Sequence, residues 1–518
     1  MRFDRSVRVL SLTLFLGLCL PASAATPGWE AFDRYVAAAA EEWRVPGLAI
    51  AVVKDGELVF EGGYGTTRLG DGTPVDPDTL FSIGSTTKAM TAAAIGMLVD
   101  EGKLAWDDPV TKYLPGFRLA DPTATAQLRV RDLLTHNAGV PNTDLLWYEQ
   151  DHDLDEILRR MQYVELQTPM YSRFEYQNVM YAAAGKLTEV VSGKSWVEFI
   201  ESRIFAPLQM TRSVASLARS ELRDNVASPH YMIDDEVAVI ENATVDSVSA
   251  AGSVWSSVRE MSRWSRFLLE GCVTAAGERL LAAATCDELF RPRTLIHEEV
   301  YPAMRLYPQR WFSYSLGWFQ TDYNRRVLDM HTGSIDGLVA IHGLVRAEKL
   351  GVVMLANLDH AELRHALMYQ ALDHLDPSIA ADDRRDWNRE VKELFDEIRR
   401  EGEARAEQAE RELRADPRPA RAPDAYAGTY VDQLFGEVQV TQEGDRLRLS
   451  FGRMACTLEP SGGDSARCPL DSRWRGESTV IFVPGPRGHI RQLRMWGLEF
   501  NKRRLPASPE AGDGAEGS

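Results

Sequence analysis

Leu80-Phe81-Ser82-Ile83-Gly84-Ser85-Thr86-Thr87-Lys88 carries an apolar run into a serine, and the apolar positions that follow, Met90, Ile95, Leu98 and Val99, have the spacing of a buried helix. Residues three apart on a helix share a face. Lys88 is therefore expected one turn behind the Ser85 hydroxyl, close enough to take its proton. Ser85 would lie at the helix N-terminus, where the helix dipole favours a developing alkoxide. Alone, a Ser-x-x-Lys match is weak, because ordinary Ser and Lys usage gives on the order of one per chain of this length. Its weight comes from two later pieces, Tyr176-Gln177-Asn178 and His331-Thr332-Gly333-Ser334.

In this order the three pieces resemble the three motifs of the serine β-lactamase and penicillin-binding superfamily. A Tyr-x-Asn second motif is similar to the class C branch, peptidase family S12, which also holds D,D-carboxypeptidases, D-aminopeptidases and esterases. Supporting phrases look like that family too: Trp106-Asp107-Asp108-Pro109-Val110, Leu133-Leu134-Thr135-His136-Asn137-Ala138-Gly139, Pro207-Leu208-Gln209-Met210-Thr211 and Tyr314-Ser315-Leu316-Gly317-Trp318. The resemblance runs from about Trp29 to Asp373.

Serine is a poor nucleophile at neutral pH and needs a base. Lys88 serves if burial lowers its pKa. Tyr176 is the second candidate, and the sequence leaves open which of the two takes the proton. The resemblance implies an oxyanion hole of the Ser85 and Ser334 backbone N–H groups. Asn178 is expected to hold the substrate's amide carbonyl through its side-chain nitrogen. Ser85, Lys88, Tyr176 and His331 are thus the candidate catalytic residues, and Asn178, Thr332, Gly333 and Ser334 the candidate substrate-binding ones. His136 and Asn137 are assigned structural roles.

His331 departs from the β-lactamase pattern, where lysine faces the carboxylate of the drug. A histidine of ordinary pKa, ~6.5, is largely neutral at pH 7. Carboxylate recognition is then expected to be weak or pH-dependent, which favours a peptidase or esterase over an efficient β-lactamase. The readings in play are a serine hydrolase of peptides, amides or esters, a true class C-like β-lactamase, and an idle acyl-trapping sensor. The presence of both Lys88 and Tyr176 argues against the idle module. No cofactor and no metal are expected. The expected partner is a small-molecule or peptide substrate.

The full chain has 518 residues, 44% hydrophobic and 26% charged, with a formal charge of −18. The length predicts two domains. The negative charge argues against nucleic acid and anionic membrane surfaces as partners. Residues 1–24 read as a secretory signal: Arg2, Arg5 and Arg8, then an apolar run from Val9 to Leu20, then Ala22-Ser23-Ala24. A periplasmic or secreted location follows, without stable membrane insertion after signal removal; the oligomeric state stays open. Cys272, Cys286, Cys456 and Cys468 then form two local pairs for which disulfides fit an oxidising compartment.

Early strands (Leu48 to Val53 and Leu58 to Phe60, joined at Asp55-Gly56) and late ones (Val327 to Met330, Leu338 to Val345, Leu350 to Ala356) bracket a helical middle. This predicts an α+β fold over 25–380, an antiparallel sheet flanked by helices with an inserted helical subdomain. The resemblance implies the same fold, with the site at the seam. Residues 381–423 read as a charged helix with a narrow docking stripe, Trp387, Val391, Leu394 and Ile398, then a linker at Pro417, Pro419 and Pro423. Short alternating strands over 424–504 predict a small antiparallel barrel, similar to the lipocalin-like domain that follows the catalytic domain in some S12 hydrolases. Residues 505–518 are expected to be disordered. The segments Leu145–Arg173 and Arg291–Trp311, rich in Tyr, Trp and Met, are expected to line or lid the pocket.

Overall fold

The computed structural model describes residues 28–413 and 420–503. The expected secretory segment, Pro417, Pro419 and the tail 505–518 lie outside the described residues.

The chain forms an α+β domain followed by a closed eight-stranded antiparallel barrel. Strands Gly47–Lys54 and Glu57–Gly65 form a hairpin closed by Asp55-Gly56, both at positive φ (52° and 80°), which is what a two-residue turn matching the strand twist requires. The sheet continues through Leu350–Ala356, Leu338–Val345, Arg326–Ile335, Phe319–Tyr323, Phe312–Tyr314 and Thr294–Leu295, antiparallel throughout. First and last parts of the chain therefore meet in one sheet, and the middle is displaced to one side as a helical subdomain.

Alternation along the strands feeds two cores. Ala49, Ala51 and Val53 join Ala340, Val353 and Leu355 against the helical subdomain. Leu48, Ile50 and Val52 turn the other way and pack with Phe32 and Val36 of helix Glu30–Glu42 and with Leu363 and Leu367 of helix Leu363–His374. Helix Thr87–Asp100 is buried on nearly all sides, between helices Asn178–Ser192 and Ala283–Leu289. It starts directly after the one-turn segment Gly84–Thr86.

The charged helix, Trp387–Leu413, docks on this chain's own catalytic domain. Trp387 and Val391 are buried, and the Trp387 indole donates to Asp373 Oδ2 at 2.7 Å. Phe395 continues the packed stripe. In the barrel, Val438, Val440, Leu449, Phe451, Phe482 and Leu493 point inward. Disulfides join Cys272 to Cys286 and Cys456 to Cys468. No helix among the described residues is long and apolar enough to cross a membrane.

Candidate active site

Strand Phe319–Tyr323 pairs with Arg326–Ile335 only as far as Met330. From His331 to Ile335 the strand keeps its partner on the other side but leaves this edge open. The Gly84–Thr86 turn fills part of that gap. A Cβ on Gly84 (φ 50°) would lie 2.7 Å from the Ser334 backbone nitrogen, and one on Gly333 would lie 1.9 Å from the Ile83 carbonyl oxygen. Glycine at both places lets the serine turn approach the strand edge. The Ser334 N–H is thereby brought beside the turn that carries Ser85.

Lys88 has no solvent exposure. Its Nζ lies 3.0 Å from Ser85 Oγ, 2.7 Å from Asn178 Oδ1 and 2.9 Å from the Ala251 carbonyl oxygen. It also stands over the rings of Tyr176 and Tyr181, 4.9 and 5.2 Å from their centroids. Burial pushes the ammonium down to about 7, against the opposing attraction of Asp144. A neutral amine has two N–H bonds and one lone pair. Two carbonyl oxygens take the two N–H bonds, and the lone pair is left for the Ser85 hydroxyl. The arrangement holds a buried amine, lowered toward neutrality, against the Ser85 hydroxyl.

Tyr176 packs against the His136 ring in a tilted pair, with centroids 4.3 Å apart, and its hydroxyl hydrogen-bonds with Ser85. Burial holds the phenol well above its usual value, and the bond to Ser85 opposes this. It therefore stays protonated at neutral pH. His136 is buried and accepts from the Gln177 backbone N–H at 3.1 Å. That bond and the His136 ring contact hold Tyr176 toward the serine.

The structure changes two expectations. Asn178 turns its amide nitrogen to Asp144, 3.0 and 3.1 Å from the two carboxylate oxygens. Its amide oxygen orients Lys88 while its nitrogen is engaged by Asp144. The sequence reading missed Asp144, which is itself steadied by the Trp147 indole N–H at 2.9 Å. His331 is buried, with Nδ1 donating to the Thr332 carbonyl oxygen at 2.6 Å and Nε2 accepting from the Tyr314 hydroxyl at 3.1 Å. Burial and the nearby Lys88 push the imidazole down to about 3. It is a neutral member of an aromatic wall with Tyr314 and Phe319, not a group that titrates near pH 6.5.

Thr332 shares a 2.9 Å hydrogen bond with the Tyr301 hydroxyl, and Ser334 is exposed at the mouth. Sequence reasoning also missed Arg364. It is buried, pairs with Glu362, and donates to the Gly333 carbonyl oxygen at 2.9 Å and to Ser334 Oγ at 2.8 Å. It braces the strand edge from behind.

Residues 32–375 match the family model described as Beta-lactamase, and residues 413–508 match one described as a domain of unknown function (DUF3471). The chain is 29% identical over 481 residues to "Unguisins hydrolase ungD" of Aspergillus violaceofuscus, covering 86% of this chain and 83% of that protein. It is 32% identical over 248 residues to "Penicillin-binding protein 4" of Amycolatopsis lactamdurans, covering 47% of this chain and 65% of that one. The octameric penicillin-binding protein homologue from Pyrococcus abyssi shares the fold, with a TM-score of 0.59 at 22% identity over 90% of this chain and 97% of that one. The match of one family model to most of the chain, on a fold that sets serine, lysine and tyrosine together at a strand edge, makes this protein a member of the Beta-lactamase family and, in general terms, a serine hydrolase related to the penicillin-binding proteins.

Proposed function

We propose that the protein is an exported, periplasmic or secreted, serine hydrolase of the S12 kind that forms an acyl-enzyme on Ser85 and acts on peptide, amide or ester substrates. The observation that carries this reading is the Lys88 amine, pushed down to about 7 and aimed at Ser85 Oγ from 3.0 Å. About half of such amines are neutral at pH 7, so the base is available without an external proton acceptor. Ser85 Oγ attacks the substrate carbonyl carbon as its proton passes to Lys88. The oxyanion is received by the N–H groups of Ser85 and Ser334, each such donor contributing about 2.7–4 kcal/mol. The C–N or C–O bond then breaks, the leaving group takes the Tyr176 proton, and Lys88 reprotonates Tyr176. Water repeats the sequence on the acyl-enzyme, restoring Ser85.

Export is supported by the charge, apolar-run and Ala-x-Ala pattern of residues 1–24 and by the two disulfides. A β-lactamase reading is disfavoured because a buried, neutral His331 supplies no cation for the drug's carboxylate. The relative named as an unguisins hydrolase supports hydrolytic chemistry in general terms. The test is covalent labelling with a fluorophosphonate probe: the adduct should map to the peptide holding Ser85 and vanish in Ser85→Ala. Labelling that survives in that variant overturns the assignment.

His331 carries a separate expectation. With its imidazole held at about 3, it stays neutral between pH 8 and pH 5. Rates on carboxylate-bearing and neutral esters should therefore fall together as Lys88 gains its proton on passing down through about pH 7. Their ratio of kcat/KM should stay flat. A ratio that climbs toward acid would show His331 acting as a protonated carboxylate receptor.

A further inference from the structure

The barrel meets the catalytic domain beside the oxyanion strand. Arg475 of the barrel reaches three groups of the catalytic domain: Glu149 at 2.7 Å, Asp336 at 3.4 Å and the Tyr148 hydroxyl at 3.0 Å. Tyr148 in turn donates to Asp336 at 2.7 Å. The Arg453 backbone N–H donates to the Glu149 carbonyl oxygen at 2.8 Å, and Arg160 donates to the Leu434 carbonyl oxygen at 2.9 Å. Glu149 and Asp336 each follow a site residue closely in sequence, Asp144 and Ser334 respectively. The barrel is thus held against both loops that carry the site.

Between the two domains lies a cavity of about 550 Å³. Ser334, Ile335 and Asp336 form its floor, and the barrel supplies Met454, Trp474 and Trp496. The walls are chiefly apolar and aromatic, and two carboxylates occupy the Arg475 charge. A pocket of this kind suits a neutral, bulky group better than an anion. The Trp474 indole N–H is buried with no acceptor among the described residues.

Direction follows from the proton path. A leaving group must sit on the side of Tyr176 and Lys88 to receive its proton. None of the aromatic neighbours of Tyr176, namely His136, Phe174 and His331, lines this cavity. Ser334, whose backbone N–H is the proposed oxyanion donor, lines the cavity, so an acyl chain that leaves the site past Ser334 enters it. We propose that the C-terminal barrel completes the substrate site, and that the cavity faced by Trp474 and Trp496 receives a neutral, aromatic acyl part of the substrate. This rests on the reading of Ser85 as nucleophile.

The experiment compares p-nitrophenyl acetate with the p-nitrophenyl ester of N-benzoylphenylalanine on the full chain. Trp474→Ala and Trp496→Ala should each lower kcat/KM for the bulky ester by about tenfold or more, mainly through KM, with the acetate within about twofold. Trp474→Phe should keep most of the activity on the bulky ester. Equal losses on both esters, or no loss on the bulky one, overturn the proposal. A second arm separates this from the nucleophile assignment: calorimetric binding of N-benzoylphenylalanine amide to Ser85→Ala. Binding that weakens when Trp474→Ala is added supports the subsite whatever residue proves to be the nucleophile. Binding indifferent to Trp474 overturns it.

Discussion

Lys88→Met is expected to lower kcat for ester and amide hydrolysis by ~10²–10⁴-fold, the scale of a positioned general base. Methionine nearly fills the space of the lysine stem, so the buried helix Thr87–Asp100 keeps its packing and a thermal melt should stay close to wild type. What is lost is the lone pair aimed at Ser85 Oγ and the two bonds that hold it there, to Asn178 and Ala251. The pH profile supplies an independent reading. Lys88 is pushed below its ordinary value, so the active, neutral amine is present above about pH 7 and lost on acidification. Wild-type kcat/KM should show this acidic limb, and the residual activity of Lys88→Met should not. Tyr176 does not stand in as a base, because burial raises its phenol and keeps it protonated at neutral pH. Acylation within about tenfold of wild type in this variant would remove Lys88 from the proton path.

The parts of the site legible in the sequence are those whose geometry is local. Ser85 and Lys88 share a helix face because they are three apart, and the hairpin at Asp55-Gly56 follows from its turn residues. The early and late strands read clearly because Leu48–Val53 and Leu350–Ala356 are buried on both faces as continuous apolar runs. Strand Phe319–Tyr323 is equally buried but carries Gln320 and Thr321 in its core positions, so neither a run nor an alternation marks it. Asp144 had no signal at all. Its role exists only because folding brings it to Asn178, 34 residues on, and through it to Lys88. Arg364 is hidden for the same reason, reaching back to Gly333 from a later helix. His331 was identifiable as a motif residue, but its state depends on Tyr314, Phe319 and Lys88 closing around it.

Tyr176→Phe separates proton delivery from proton removal. The phenol stays protonated because burial raises it, so in the proposed mechanism it is a donor, to the atom that leaves the tetrahedral centre. An amine or alkoxide leaving group needs that proton as its bond breaks. A nitrophenolate does not. The variant should therefore lose ~10²-fold or more in kcat on amides and alkyl esters, and only about tenfold or less on p-nitrophenyl esters. The ring stays in place, since its tilted packing against His136, at 4.3 Å between centroids, does not involve the hydroxyl. A structural role for Tyr176 would instead depress both substrate types alike, because a displaced ring would disturb Ser85 and Lys88 whatever leaves. If the two losses are equal, the proton must reach the leaving group from Lys88 directly, and Tyr176 serves only to wall the site.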